Sequence, residues 1–214
     1  MIHTHYELCF PVALKQKTEI VTKHIPGFLD TLYDAEAFNA IRKEELRDAF
    51  HTNQILSKTW FLEKFLAKGM PKEVRILLIG SWLGFFTYVL RQYGYRNVHE
   101  VDSDLRMLGI SPKANPGVVH YTTDVNEFSK RPEYQEYQLI INLSCEHIPD
   151  NTWFKNIKSE TSIWLQSNDF VIPEHTNICI SLEDMKQKYP IVIALEGELR
   201  LPIYNRYMLI GHKY

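Results

Sequence analysis

The run Ile76-Leu77-Leu78-Ile79 passes directly into Gly80-Ser81-Trp82-Leu83-Gly84, and an amphipathic helical pattern begins at once with Phe85 and Phe86. A buried strand, a glycine turn and a helix start together make a corner suited to a nucleotide. Glycine lets the backbone turn sharply and lets a ligand approach where a Cβ would stand, while the free N–H groups of the helix start face the bound molecule. Downstream, Asn97-Val98-His99-Glu100-Val101-Asp102 reads as a second strand closed by a carboxylate, at roughly the spacing that places an acid on a ribose. These two features imply a nucleoside-containing ligand.

A chain of 214 residues, 45% hydrophobic and 13% aromatic, is long enough for one ample core or a core with an added cap. With 24 basic and 26 acidic residues the formal charge is -2, and no local basic patch stands out, so nucleic acid is a disfavoured partner. Cys9, Cys145 and Cys179 are odd in number and widely spaced, which argues against a disulfide framework and for a reducing, cytoplasmic compartment. No apolar run reaches the roughly 18 residues of a membrane span, and Met1 to Phe10 lacks the pattern of a signal peptide.

Helical spacing over 35–50 (Phe38, Ile41, Leu46, Ala49) and 54–67 (Leu56, Trp60, Phe61, Phe65) predicts two helices, with Ser57 and Lys58 near the start of the second and a stop at Gly69 and Pro71. Residues 1–70 carry nine basic and nine acidic side chains, so they read as a helical cap or lid rather than a basic arm; 71–214 form the main unit. From Val74 onward strands are expected at 74–79, 97–101, 118–122, 137–143 and 161–167, with helices at 84–93 and 150–157; this alternation argues for a parallel sheet with crossovers. Pro112 and Pro116 limit the crossover after Asp102 to a turn or two. Segments 191–199 and 204–210, joined through Pro202, predict an antiparallel hairpin.

This order of features resembles the class I S-adenosylmethionine-dependent methyltransferases, and four places carry the resemblance. The glycine corner Leu78-Ile79-Gly80-Ser81-Trp82-Leu83-Gly84 is similar to the family's first motif, with Leu78 where an acid is usual and Trp82 in place of the middle glycine. Asp102, in Val101-Asp102-Ser103-Asp104, falls on the acid closing strand two; Asp124, in Thr122-Thr123-Asp124-Val125, on the acid after strand three. The run Asn142-Leu143-Ser144-Cys145-Glu146-His147-Ile148-Pro149-Asp150 resembles the loop after strand four. The resemblance implies a Rossmann-like seven-stranded, mostly parallel sheet whose last strand is antiparallel. It further implies S-adenosylmethionine as cofactor, bound by Gly80, Ser81, Trp82, Gly84, Asp102, Ser103, Asp124, Val125 and Asn142.

Each assignment has a plainer alternative. Gly80 and Gly84 also suit a simple strand-to-helix turn, and Asp124 an N-cap for a short helix at 126–130. Glu100 is expected to alternate away from the ligand or face solvent. His147, tuned by Glu146, is a candidate general base, although such a pair can equally fix its loop. Ser167, Asn168, Asp169 and His175 follow strand five as substrate-side candidates or as a polar loop; Tyr204 and Arg206 face substrate or pack. Cys145 reads as a buried thiol before a nucleophile. His3 and His5, with only Glu7 nearby, read as surface histidines, so no metal is expected.

The expected activity is methyl transfer to a nitrogen or oxygen of a small molecule. Alternatives are transfer of the aminocarboxypropyl arm of the same cofactor and a catalytically inactive binding subunit, both motivated by Leu78 and Trp82. No Asn/Asp-Pro-Pro-aromatic segment follows strand four and there is no Pro-Cys dipeptide, which disfavours DNA adenine and cytosine methylation. Acceptor and oligomeric state are not legible.

Overall fold

The computed structural model describes residues 12–33 and 41–214. Its centre is β1 (Ile76–Ile79), which pairs in parallel with β2 (Val98–Asp102) on one side and β4 (Leu139–Asn142) on the other. β3 (Val119–Thr122) extends the sheet beyond β2, and β5 (Ser162–Asn168) beyond β4, both in parallel. β6 (Val192–Arg200) and β7 (Asn205–His212) form the expected hairpin, and β7 joins β5 in antiparallel register. The seven strands run in the order β3-β2-β1-β4-β5-β7-β6. Because the order reverses between β1 and β4, the carboxyl ends of those strands open a crevice where ligands can enter.

Side-chain alternation along each central strand divides the core in two. Ile76 and Leu78 of β1, Leu139 and Ile141 of β4 and Trp164 of β5 face one helical layer; Leu77, Ile79, Ile140, Ile163 and Leu165 face the other. The first layer contains α1 (Val12–Thr22), α2 (Ile25–Tyr33), α3 (Lys43–Ala49), α4 (Thr52–Lys68), α5 (Phe85–Gln92) and α6 (Met107–Ala114). The second contains α7 (Val125–Phe128), α8 (Thr152–Lys155) and α9 (Leu182–Lys188). Phe61 and Phe65 of α4 meet the Trp164 ring edge-on at 5.4 and 5.2 Å, which fixes α4 against the sheet.

Four helices, where the apolar spacing predicts two, precede β1 among the described residues. α2 buries Ile25, Phe28 and Leu32, but Pro26 and Gly27 within it read as breakers in sequence. Pro26 sits in the first turn, where its missing N–H costs nothing, and a Cβ on Gly27 would lie 2.7 Å from the Tyr88 hydroxyl, so the glycine permits close packing on α5. α4 starts at Thr52, which moves Ser57 and Lys58 beyond its first turn; Gly69 ends it at φ +64°. Part of the expected 35–50 helix lies at 34–40, outside the described residues, as do His3, His5 and Cys9. The crossover after β2 is the short α6, about two turns long as expected, although Pro112 lies inside it rather than ending it. No helix among the described residues is long and apolar enough to cross a membrane.

Candidate functional site

The glycine corner keeps its shape although one glycine is missing. Gly80, Trp82 and Gly84 all take positive φ, at 67°, 48° and 77°. An L residue in that region costs roughly 1–2 kcal/mol. Two features compensate at Trp82: its N–H donates to Asp102 Oδ2 at 2.8 Å, and its indole packs on the first core layer. Gly80 is open, since a Cβ there would meet nothing closer than Ser144 Cβ at 3.8 Å. Gly84 is crowded instead: a Cβ would lie 2.1 Å from Ser111 Oγ and 2.7 Å from Asn115 Nδ2, and its carbonyl accepts from Asn115 Nδ2 at 2.9 Å. Its glycine serves the contact between α5 and α6.

Asp102 closes β2 with its carboxylate at the cavity wall. Oδ2 accepts from Trp82 and Oδ1 from the Asp104 N–H at 2.9 Å, so both oxygens are oriented and each retains a lone pair for a ligand. Burial, opposed by those two N–H donors and reinforced by the neighbouring acids Asp104 and Glu100, pushes its pKa above the ordinary carboxylate value. Glu100 corrects the sequence expectation. It is 1% exposed, on the same strand face as Asp102, accepts from Ser111 Oγ at 2.6 Å and pairs with His120 Nδ1 at 2.8 Å, tying α6 and β3 to β2.

At the end of neighbouring β3, Asp124 caps α7, with Oδ1 accepting from the N–H groups of Asn126 and Glu127 at 2.8 and 3.3 Å. Gly80, Ser81, Trp82, Asp102, Ser103, Asp124 and Val125 line a cavity of about 370 Å³. Its size falls within the range of about 300–1,000 Å³ usual for small-molecule and cofactor sites. Gly84 and Asn142 do not line it. Asn142 is buried and directs the loop after β4, accepting from the Ser144 N–H at 2.9 Å.

That loop carries Glu146, 2% exposed, whose Oε1 accepts from Asn168 Nδ2 at 2.6 Å and from Arg206 Nη1 at 2.7 Å. Arg206, also buried, donates through its other terminal nitrogen to the Leu143 carbonyl, so β5, β7 and the β4 loop share one charged junction. Glu146 and His147 also border a second cavity of about 530 Å³, lined further by Asn168, His175 and Tyr204. The His147 ring, open at its outer edge, has its pKa lowered by desolvation and by His175, against the pull of Glu146. Ser167 and Asp169 line neither cavity: Ser167 is fully buried, and Asp169 holds the hairpin by accepting from the N–H and side-chain amide of Asn205, both at 2.8 Å. Cys145 is buried with its thiol pKa pushed well up by desolvation, and Cys179 is pushed up to about 11, which leaves two inert packing thiols.

The helical cap supplies residues that no sequence pattern marks. Asp48, Gln54, Ser57 and Lys58 line the first cavity from α3 and α4, and Asp48 and Gln54 also line the second. Ser57 Oγ donates to Gln166 Oε1 at 2.9 Å, anchoring α4 over β5. Lys58 donates to Gln54 Oε1 at 3.0 Å; desolvation and Arg206, opposed by Asp48 and Glu146, lower its pKa to about 8. Their nearest sequence signal is polar residues on the inner side of an otherwise apolar helix stripe.

No protein-family profile and no curated protein matches the sequence. Solved structures do. The magnesium protoporphyrin IX methyltransferase ChlM from Synechocystis PCC 6803, with S-adenosylmethionine bound, superposes with a TM-score of 0.60 at 13% identity, over 96% of this chain and 100% of that one. The N-methyltransferase NodS from Bradyrhizobium japonicum WM9, in complex with S-adenosylhomocysteine, gives 0.61 at 13% identity over 79% and 93%. A point mutant of MtNAS in complex with S-adenosylmethionine gives 0.55 at 17% over 92% and 78%. The chain therefore has the class I methyltransferase fold, with the strand order and antiparallel final strand that the sequence resemblance implies.

Proposed function

We propose that this protein is an S-adenosylmethionine-dependent methyltransferase acting on a nitrogen or oxygen of a small molecule. The observation that carries this reading is the Asp102 carboxylate, held by the Trp82 and Asp104 N–H groups in the wall of a cavity also lined by an open Gly80. Asp102 would take the ribose hydroxyls, the free Oδ2 of Asp124 the adenine amino group, and the Gly80-Ser81-Trp82 backbone the amino-acid end, with Ser103 and Val125 along the walls. When bound, the cofactor supplies a sulfonium that is already a strong electrophile. The chain's task is then positioning and exclusion of water.

The acceptor would enter through the second cavity, between Asn168, His175 and Tyr204. Closure falls to α3 and α4, whose Asp48, Gln54, Ser57 and Lys58 already reach the first cavity. A proton on the acceptor needs a base, and two groups have lowered pKa: His147, which borders both cavities, and Lys58, which lines the first.

Isothermal calorimetry with S-adenosylmethionine and S-adenosylhomocysteine tests the reading. Binding of both is expected, weakened by roughly 1–3 kcal/mol in Asp102→Ala through loss of a charged hydrogen bond. Absence of heat at millimolar concentrations of either ligand refutes it and leaves an inactive binding subunit. Leu78, where an acid would hold the amino-acid end, lines the cavity as a bare apolar side chain, which favours aminocarboxypropyl transfer as a second reading. Product mass separates the two.

A further inference from the structure

We propose that Glu146, His147 and His175 bind a divalent first-row transition-metal ion at the boundary between the two cavities. One carboxylate oxygen and one nitrogen from each ring lie within 4.8 Å of one another. Donors around a single ion at about 2.0–2.1 Å stand about 3.4 Å apart. Closing the cluster therefore takes about an ångström of side-chain movement. His147 is exposed and His175 only half-buried, so both rings have room to make it.

Two independent features point to a cation. The Glu146 carboxylate is buried, and while Oε1 receives Arg206 and Asn168, Oε2 has no hydrogen-bond partner among the described residues. A buried charged oxygen left without a donor is costly, and a metal ion supplies what it lacks. One histidine is also set as a ligand is: His175 Nδ1 lies 2.7 Å from the Phe170 carbonyl, which places the proton on Nδ1 and leaves Nε2 with its lone pair. The two rings meet edge-to-face with centroids 4.5 Å apart.

Charge does not forbid the ion. Arg206 neutralises Glu146, yet Asp48 and Glu174 also line the second cavity, which has no lysine or arginine among its lining residues. Two imidazoles and one carboxylate with open positions favour zinc, iron, cobalt or manganese over magnesium or calcium. The sequence hides this site because Glu146-His147 and His175 are brought together only by the return of the chain after β5. Under the methyl-transfer reading, the open positions select an acceptor with an oxygen donor and leave Lys58 as the base. Metal binding itself does not depend on that reading.

The test is titration of chelator-treated full-length protein with Co²⁺ alone, followed by visible absorption, then displacement by Zn²⁺. Expected is one ion per chain, displaced by Zn²⁺, with affinity reduced at least 10–100-fold in His175→Ala and in His147→Gln. Circular dichroism and thermal unfolding of the same variants check that their fold persists, and Asp102→Asn should lose cofactor affinity but keep the ion. No cobalt spectrum at millimolar metal, or wild-type affinity in both histidine variants, overturns the proposal. Loss of cofactor binding with an intact cobalt titration would instead defeat only the methyltransferase reading.

Discussion

Lys58 is a half-buried cation in the wall of the first cavity, and replacing it with methionine turns that placement into a measurable quantity. Its ordinary pKa is about 10.4. In the folded protein, burial and Arg206 bring it to about 8 despite the nearby Asp48 and Glu146 carboxylates. Between pH 8 and about 10.4 the unfolded chain therefore holds a proton that the folded chain has released, and stability rises with pH across this window. Below pH 8 both states carry the ammonium, and the folded state bears its full desolvation. A fall from about 10.4 to about 8 corresponds to about 3 kcal/mol, an upper bound because the cavity admits water. Against it stands the hydrogen bond to Gln54, worth about 1 kcal/mol. Lys58→Met should thus be about 1–2 kcal/mol more stable than the parent at pH 7 and about 1 kcal/mol less stable near pH 10.5. Urea denaturation of both proteins at half-unit steps from pH 6 to 10.5 gives the difference curve, in which all other titrations cancel. A pH-independent difference would refute the argument.

Two further substitutions probe the scaffold around the site. Gly84→Ala forces a Cβ against Ser111 and Asn115 at φ +77°, so thermal unfolding should show a loss of about 2–4 kcal/mol; a loss under about 1 kcal/mol would mean that α6 yields easily. Arg206→Met strands the Glu146 charge in the interior and should cost about 3–5 kcal/mol in chemical denaturation. Adding Glu146→Gln should recover part of that loss, and no recovery would argue that Arg206 matters for packing alone.

β1 and β4 are legible because they are apolar on both faces, β1 also because glycines mark the turn after it, while β2 and the β6–β7 hairpin show in their β-branched and alternating apolar residues; all lie within a few residues of their expected bounds. α9, the crossover into β6, is not legible, because only Met185 is buried and Leu182 partly so in an otherwise charged and polar helix, too few apolar positions to read as a stripe. α1 escapes for a related reason, since the residues it is seen to bury include Thr18 beside Val21. In α2 the periodicity is present, but Pro26 and Gly27 mask it.

Legibility of the site follows a different rule. Residues that act where the chain turns, such as Gly80, Asp102 and Asp124, announce themselves by their place at strand ends, and the structure brings them to one cavity. Residues that act across the fold do not. Glu100 looks like a solvent-facing acid in sequence because its partners, Ser111 and His120, belong to other elements, and only their convergence makes its burial tolerable. Lys58 looks like an ordinary helix lysine until α4 is laid over β5. Trp82 is the most instructive departure, because its identity breaks the glycine pattern while its backbone keeps it, at φ +48° with its N–H on Asp102. The motif is thus a demand on dihedral angles and N–H direction rather than on residue type, and any side chain whose packing and hydrogen bonding offset roughly 1–2 kcal/mol of left-handed strain can meet it.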